Sequence, residues 1–122
     1  MLSDELKART RNFVLAVINL AERAAPTMSG SIILRQLVRS GTSVGANYRA
    51  ACRAKSPADF AYKIKLVEEE ADESAFWLDL MIASSRCPES VAGPLLAEAD
   101  ELTALFSSIS ITLRRKRRRP QS

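Results

Sequence analysis

Gln36-Leu37-Val38-Arg39-Ser40-Gly41-Thr42-Ser43-Val44-Gly45-Ala46-Asn47-Tyr48-Arg49-Ala50-Ala51 reads as helix. Ile33, Leu37, Ser40, Val44, Tyr48 and Ala51 recur along one seam, with Leu34, Val38, Gly41, Gly45 and Cys52 beside it. Two glycines four residues apart interrupt the pattern. Each costs a helix interior about 1 kcal/mol relative to alanine, and Ser40, Thr42, Ser43 and Asn47 are indifferent helix formers. Close approach of a second helix is the compensation that small residues at this spacing permit. The stretch therefore predicts the central packing seam, with Asn47 hydrogen-bonding across it.

The residues that follow supply the facing helix. Ser56-Pro57-Ala58-Asp59 places serine at an N-cap, proline at the first helical position and an acid just inside, which starts a helix at residue 57. Phe60, Ile64, Val67, Ala71, Ser74, Leu78 and Met81 then recur at alternating spacings of four and three, the seam of a bundle helix. A turn around residue 56 sets positions opposite one another when their numbers sum to about 112. Glu73 then faces Arg39, Glu69 faces Ser43 and Trp77 faces Arg35. This register predicts a partly buried ion pair from Arg39 to Asp72 or Glu73 and stacking of Arg35 on Trp77. It also turns Gly41 and Gly45 toward Val67 and Glu69.

Upstream, Ser3 caps a first helix with Asp4 and Glu5 in its first turn. The stripes Phe13-Val17-Leu20-Ala24 and Val14-Ile18-Ala21-Ala25 carry that helix to Pro26. Pro26 to Gly30 reads as a turn, with Ser29 or Ser31 as the next cap. Downstream, Pro88, Gly93 and Pro94 make 84–94 a loop, and Leu95, Ala99, Leu102, Phe106, Ile109 and Leu113 mark a fourth helix. The expected helices span about 4–25, 31–54, 57–84 and 94–114, forming one domain over 1–113 with a basic tail at 114–122. Short connections make them an all-α, antiparallel up-down-up-down four-helix bundle.

Composition narrows the function classes. A chain of 122 residues supports one domain, and 47% apolar with 26% charged residues is ordinary for a globular protein. No apolar run nears the roughly 20 residues of a membrane span, and Met1-Leu2-Ser3-Asp4-Glu5 lacks the features of a signal peptide. A cytoplasmic protein without membrane contact is expected. Histidine is absent, so Glu68, Glu69, Glu70, Asp72 and Glu73 lack the Glu-x-x-His partners of a di-metal bundle. The hydroxyls of Ser40, Thr42 and Ser43 have only Lys63 and Lys65 as remote bases. Cys52 and Cys87 make neither a zinc site nor a disulfide framework. The expectation is a non-enzymatic protein with no metal or cofactor; a carboxylate-metal enzyme is the weakest of its rivals.

The net charge of +4 divides along the chain: residues 1–55 carry +6, residues 56–113 carry −8 and residues 114–122 carry +6. In an up-down-up-down bundle the start of the first helix, the turn after the second and the end of the fourth share a pole. Lys7, Arg9, Arg11, Arg49, Arg53, Lys55, Lys63, Lys65, Arg114, Arg115, Lys116, Arg117, Arg118 and Arg119 converge there. A helix dipole accounts for one or two of these cations but not for fourteen. A phosphate backbone is the natural complement, and with no base-reading motif present, charge and shape would govern binding. The alternative is an interaction scaffold whose tail docks an acidic protein.

Leu34-Arg35-Gln36-Leu37-Val38-Arg39-Ser40-Gly41-Thr42-Ser43-Val44-Gly45-Ala46-Asn47-Tyr48, followed by Ser56, Asp59-Phe60, Lys63, Glu69-Glu70-Ala71-Asp72-Glu73 and Phe76-Trp77-Leu78, closely resembles a known family. These are the four-helix-bundle proteins encoded within intervening sequences of bacterial 23S ribosomal RNA genes. The resemblance implies a protomer that assembles as a ring, typically a homopentamer. It also implies kinship with accessory proteins of diversity-generating retroelements, which bind nucleic acid and a reverse transcriptase. No catalytic residues come with it. Where many relatives carry glutamates after Gly-Ala-Asn, this chain has Arg49 and Ala50. Binding of structured RNA, in preference to DNA, is the resulting expectation, with a polymerase-like protein as the alternative partner.

Overall fold

The computed structural model describes residues 2–24 and 27–118. Four helices follow one another within them: α1 (Leu2–Arg23), α2 (Met28–Ala51), α3 (Pro57–Ala83) and α4 (Glu89–Arg118). The long seams are α2 on α3 and α3 on α4. By contrast, α1 packs on α2, touches α4 sparingly and does not approach α3. Phe13 and Val17 from α1, Leu37 and Val44 from α2, Ile64, Leu78 and Met81 from α3, and Leu102 and Phe106 from α4 fill the core. Among the described residues, no helix is long and apolar enough to cross a membrane.

The helix ends follow local hydrogen bonding, and several differ from the expected bounds. α2 starts at Met28 because Thr27 is extended (φ −134°, ψ 159°) and its hydroxyl accepts the Gly30 N–H at 3.0 Å, so neither Ser29 nor Ser31 is the cap. It stops at Ala51, after which single-turn bonds from Arg53 and Ala54 lead into the connection. α3 starts where Ser56-Pro57 places it. Ser56 Oγ accepts the Asp59 N–H at 3.0 Å, while the Asp59 carboxylate accepts the Lys55 N–H at 3.1 Å. The expected end of α1 at Ala25, and Pro26 after it, lie outside the described residues.

The stretch expected as a loop before residue 94 is largely helix. α3 closes at Ala83, where the Ser85 N–H bonds to the Ile82 carbonyl at 3.0 Å and the Arg86 N–H to the Met81 carbonyl at 2.9 Å. α4 then begins at Glu89, with Gly93 and Pro94 inside it. Pro94 is the sixth residue of α4, past the donors that lack intrahelical partners, so it gives up a helical bond to the Ser90 carbonyl within two turns of the start. Fully buried Ala92 docks this turn on the core. At the other end α4 continues through Arg118, so residues 114–118 are helix rather than a separate tail. Arginine and lysine are good helix formers, and a cation in the last turn complements the helix dipole.

The α2–α3 register is the predicted one. Arg39 pairs with Glu73, and with Glu70 at 3.4 Å in place of Asp72. Ser40 and Ser74 share a buried hydroxyl hydrogen bond of 2.9 Å in the same seam. The Arg39 and Glu73 side chains are 47% and 39% exposed, so this is a surface pair worth about 1 kcal/mol or less, not the costly buried pair expected. Other expectations fail. Glu69 is exposed, and Ser43 turns its hydroxyl to the Arg39 carbonyl of its own helix at 2.7 Å. Trp77 packs its ring edge-on against Phe76, with centroids 4.9 Å apart, instead of under Arg35. Asn47 makes no cross-bundle hydrogen bond among the described residues.

The glycines face α1, not α3. A Cβ built on Gly41 would lie 3.0 Å from both γ-carbons of Val17, and one on Gly45 would lie 2.7 Å from Val14 Cγ2. The close approach read from the glycine pair is present, but its partner is the preceding helix. The α2–α3 seam, with Ser40 and Ser74 at its centre, did not need glycine.

Candidate nucleic-acid interface

The glycine contacts fix the antiparallel register of α1 and α2: Val17 meets Gly41 and Val14 meets Gly45. Carried one turn toward the pole at 3.6 residues per turn, this register sets Arg11 against Arg49, and Lys7 and Arg53, in the turn after α2, line the same groove. On α1, Lys7 and Arg11 are four residues apart and share a face; Arg49 stands in the last turn of α2 and Arg53 in the turn that follows it. The result is a groove of about 570 Å³, floored by Thr10, Val14, Gly45 and Ala46 and edged by the four cations.

None of these four makes an ion pair among the described residues. Four like charges across one groove repel. An anion with several charges along its length would offset this.

Other cations of the expected set are already engaged. Arg9 donates from Nε and Nη2 to the two carboxylate oxygens of Glu98 at 2.8 and 2.7 Å, and from Nη2 to Glu101 at 2.9 Å. This clasp ties α1 to α4. The hydrogen bonds from Arg9 hold the Glu98 carboxyl below its ordinary range, and Glu98 in turn raises the Arg9 guanidinium. Lys63 bonds Asp59 at 2.8 Å, which lowers the Asp59 carboxyl, and Lys65 pairs with Glu68 at 3.3 Å. Lys55 and Arg114 to Arg118 are exposed at the same pole. Arg119 lies outside the described residues.

Beside the groove the pole opens into a second hollow of about 600 Å³, walled by Leu6, Phe60, Ile64, Ile109 and Leu113. It shares Lys7, Tyr48 and Cys52 with the groove. The Tyr48 ring lies tilted against Phe106, with centroids 5.5 Å apart, and burial raises its phenol well above the usual value. Sequence reasoning missed both this hollow and the Arg9 clasp. Each depends on how α1 meets α4, two helices separated by most of the chain, and no short connection fixes their register.

Cys52 and Cys87 are free thiols, and burial raises the Cys87 thiol. Among the described residues, no group of three Cys, Asp or Glu side chains is placed to hold a metal ion.

Residues 5–108 match the family described as 23S rRNA-intervening sequence protein. No curated protein matches the chain significantly. Among solved structures, the chain is similar to a protein of unknown function from the S23 ribosomal protein family of Bacteroides thetaiotaomicron VPI-5482. That similarity has 29% identity and a TM-score of 0.80 over 90% of this chain and 98% of the other.

Proposed function

The chain belongs to the 23S rRNA-intervening sequence protein family, and from that premise we propose that it is a non-enzymatic protein that binds structured RNA through its cationic pole. The supporting observation is the groove between α1 and α2, edged by Lys7, Arg11, Arg49 and Arg53, none of which makes an ion pair among the described residues. Phosphates spaced along a strand would neutralise such a row, releasing counterions and making affinity fall with salt. The exposed cations at the end of α4 extend the same field.

Titration of the protein with a stem-loop RNA over a range of potassium chloride concentrations tests this. Arg11→Ala with Arg49→Ala should weaken binding to all RNAs alike and reduce the salt slope by about 1 for each phosphate no longer neutralised. Truncation after Leu113 should act in the same direction. Absence of salt-sensitive binding by the intact protein would leave the scaffold reading in possession. That reading has its own support in Leu15, Ile18 and Phe76, apolar residues exposed on α1 and α3. In our proposal such surfaces join copies of the chain in a homo-oligomer, a pentamer by family resemblance, and the mass measured by light scattering would test it.

A further inference from the structure

We propose that the apolar hollow at the pole receives an unpaired base of the RNA whose phosphates occupy the cationic groove; this rests on the RNA-binding reading above.

The hollow is a product of how α1 is held. Gly41 and Gly45 draw α1 close to α2, while its contact with α4 is sparse and it does not reach α3. Toward the pole, a space lined from all four helices and from the connection between α2 and α3 is left unfilled. Its walls are Leu6 and Ile64, which belong to the core, and Phe60, Ile109 and Leu113, which pack against the core and stay partly exposed. At about 600 Å³ the hollow falls inside the roughly 300–1,000 Å³ range of pockets that take small organic ligands.

Its surroundings identify the occupant. Lys7 belongs to the lining of both hollow and groove, and Leu113 on the opposite wall is followed directly by Arg114 and Arg115. Apolar surface thus lies between two sets of cations. A duplex has little use for such a site, because its bases are stacked inside and it presents phosphate and sugar outward. A single strand or loop presents both chemistries together. Its phosphates can track Arg11, Arg49 and Arg53, while one unstacked base buries its faces among aliphatic and aromatic side chains.

The test compares three RNAs with the intact protein: a single-stranded oligouridylate, an abasic ribose-phosphate oligomer of equal length and charge, and a duplex of equal length. The oligouridylate should bind on the order of tenfold more tightly than the abasic oligomer, the effect of stacking one base. Ala54→Trp adds a side chain to the hollow from the connection between α2 and α3, where Ala54 is part of the lining. It should abolish the preference for the base while leaving affinity for the abasic oligomer unchanged. Equal affinity of the native protein for oligouridylate and abasic oligomer, both salt-dependent, would overturn the base site and leave phosphate binding intact. No salt-dependent binding of any of the three would remove both. If Ala54→Trp altered the oligomeric mass but not RNA binding, the hollow would be covered by a second copy instead, and the proposal would fail.

Discussion

Ser85 is the described non-glycine residue with a left-handed backbone, at φ 59°. It occupies the position after the α3 cap where glycine is usual, because the paired bonds from Ser85 to Ile82 and from Arg86 to Met81 require that conformation. A side chain there places its Cβ against the following carbonyl oxygen, at a cost of about 1–2 kcal/mol. Ser85→Gly should remove that strain, and the greater freedom glycine gives the unfolded chain returns part of the gain. The net expectation is stabilisation by about 0.5–1 kcal/mol, read as a higher urea midpoint with an unchanged slope. A lower midpoint would mean that the Ser85 side chain supplies something the backbone bonds do not account for. Elsewhere single hydroxyls settle differently. Ser40 and Ser74 satisfy one another, whereas Ser110 Oγ is buried without a partner among the described residues.

At the scale of the helix pair, Gly41 sets the distance between α1 and α2. Gly41→Ala would gain about 1 kcal/mol of helix propensity but force its Cβ onto Val17, which is fully buried and stiff. Overpacking of this kind costs about 1–3 kcal/mol, so the single substitution should be neutral to destabilising. Val17→Ala alone opens a cavity. Together the two should cost less than the sum of their separate effects, because the new methyl occupies the space that valine vacates. Additive costs in urea denaturation would contradict the contact. Gly93 is the control, since a Cβ there meets only the flexible Glu89 side chain at 3.3 Å. The same helices mark what could be read without coordinates. Seams of period four and three placed α3 and its Ser56 cap, and one short connection fixed Arg39 against Glu73. Glycine spacing announced a close approach but not its direction, because α2 offers small residues on more than one face and both neighbours are sequential. The start of α4 was hidden by Gly93 and Pro94, residues that discourage a helix yet lie in the second turn of this one. Topology alone brought Lys7, Arg11, Arg49 and Arg53 to one pole, while Arg9 belonged to an ion pair between the two ends of the chain.

That ion pair shapes the stability of the whole molecule. α1 is held on one flank by close packing against α2 and on the other by the Arg9 clasp to Glu98 and Glu101, where the α1 and α4 backbones approach each other at few points. The Glu98 carboxyl sits below its ordinary value of 4.5 because Arg9 donates to it in the folded state only. A group whose folded value is depressed contributes stability that is complete above its unfolded value and is lost as pH falls through the folded one. The clasp should therefore contribute fully at neutral pH and progressively less below about 4.5. Both side chains are partly exposed, at 38% and 27%, so its worth at pH 7 is about 1 kcal/mol. Other carboxylates titrate over the same range, Asp59 among them, so the acid limb of one protein cannot isolate the pair. The difference between native protein and Glu98→Gln can, because both share every other group. Urea midpoints measured from pH 7 down to pH 3 should differ at neutral pH and converge as Glu98 protonates. A gap that stayed constant with pH would mean that Glu98 stabilises by packing its methylene groups, not by its charge. Convergence would identify the α1–α4 flank as the acid-sensitive side of the bundle.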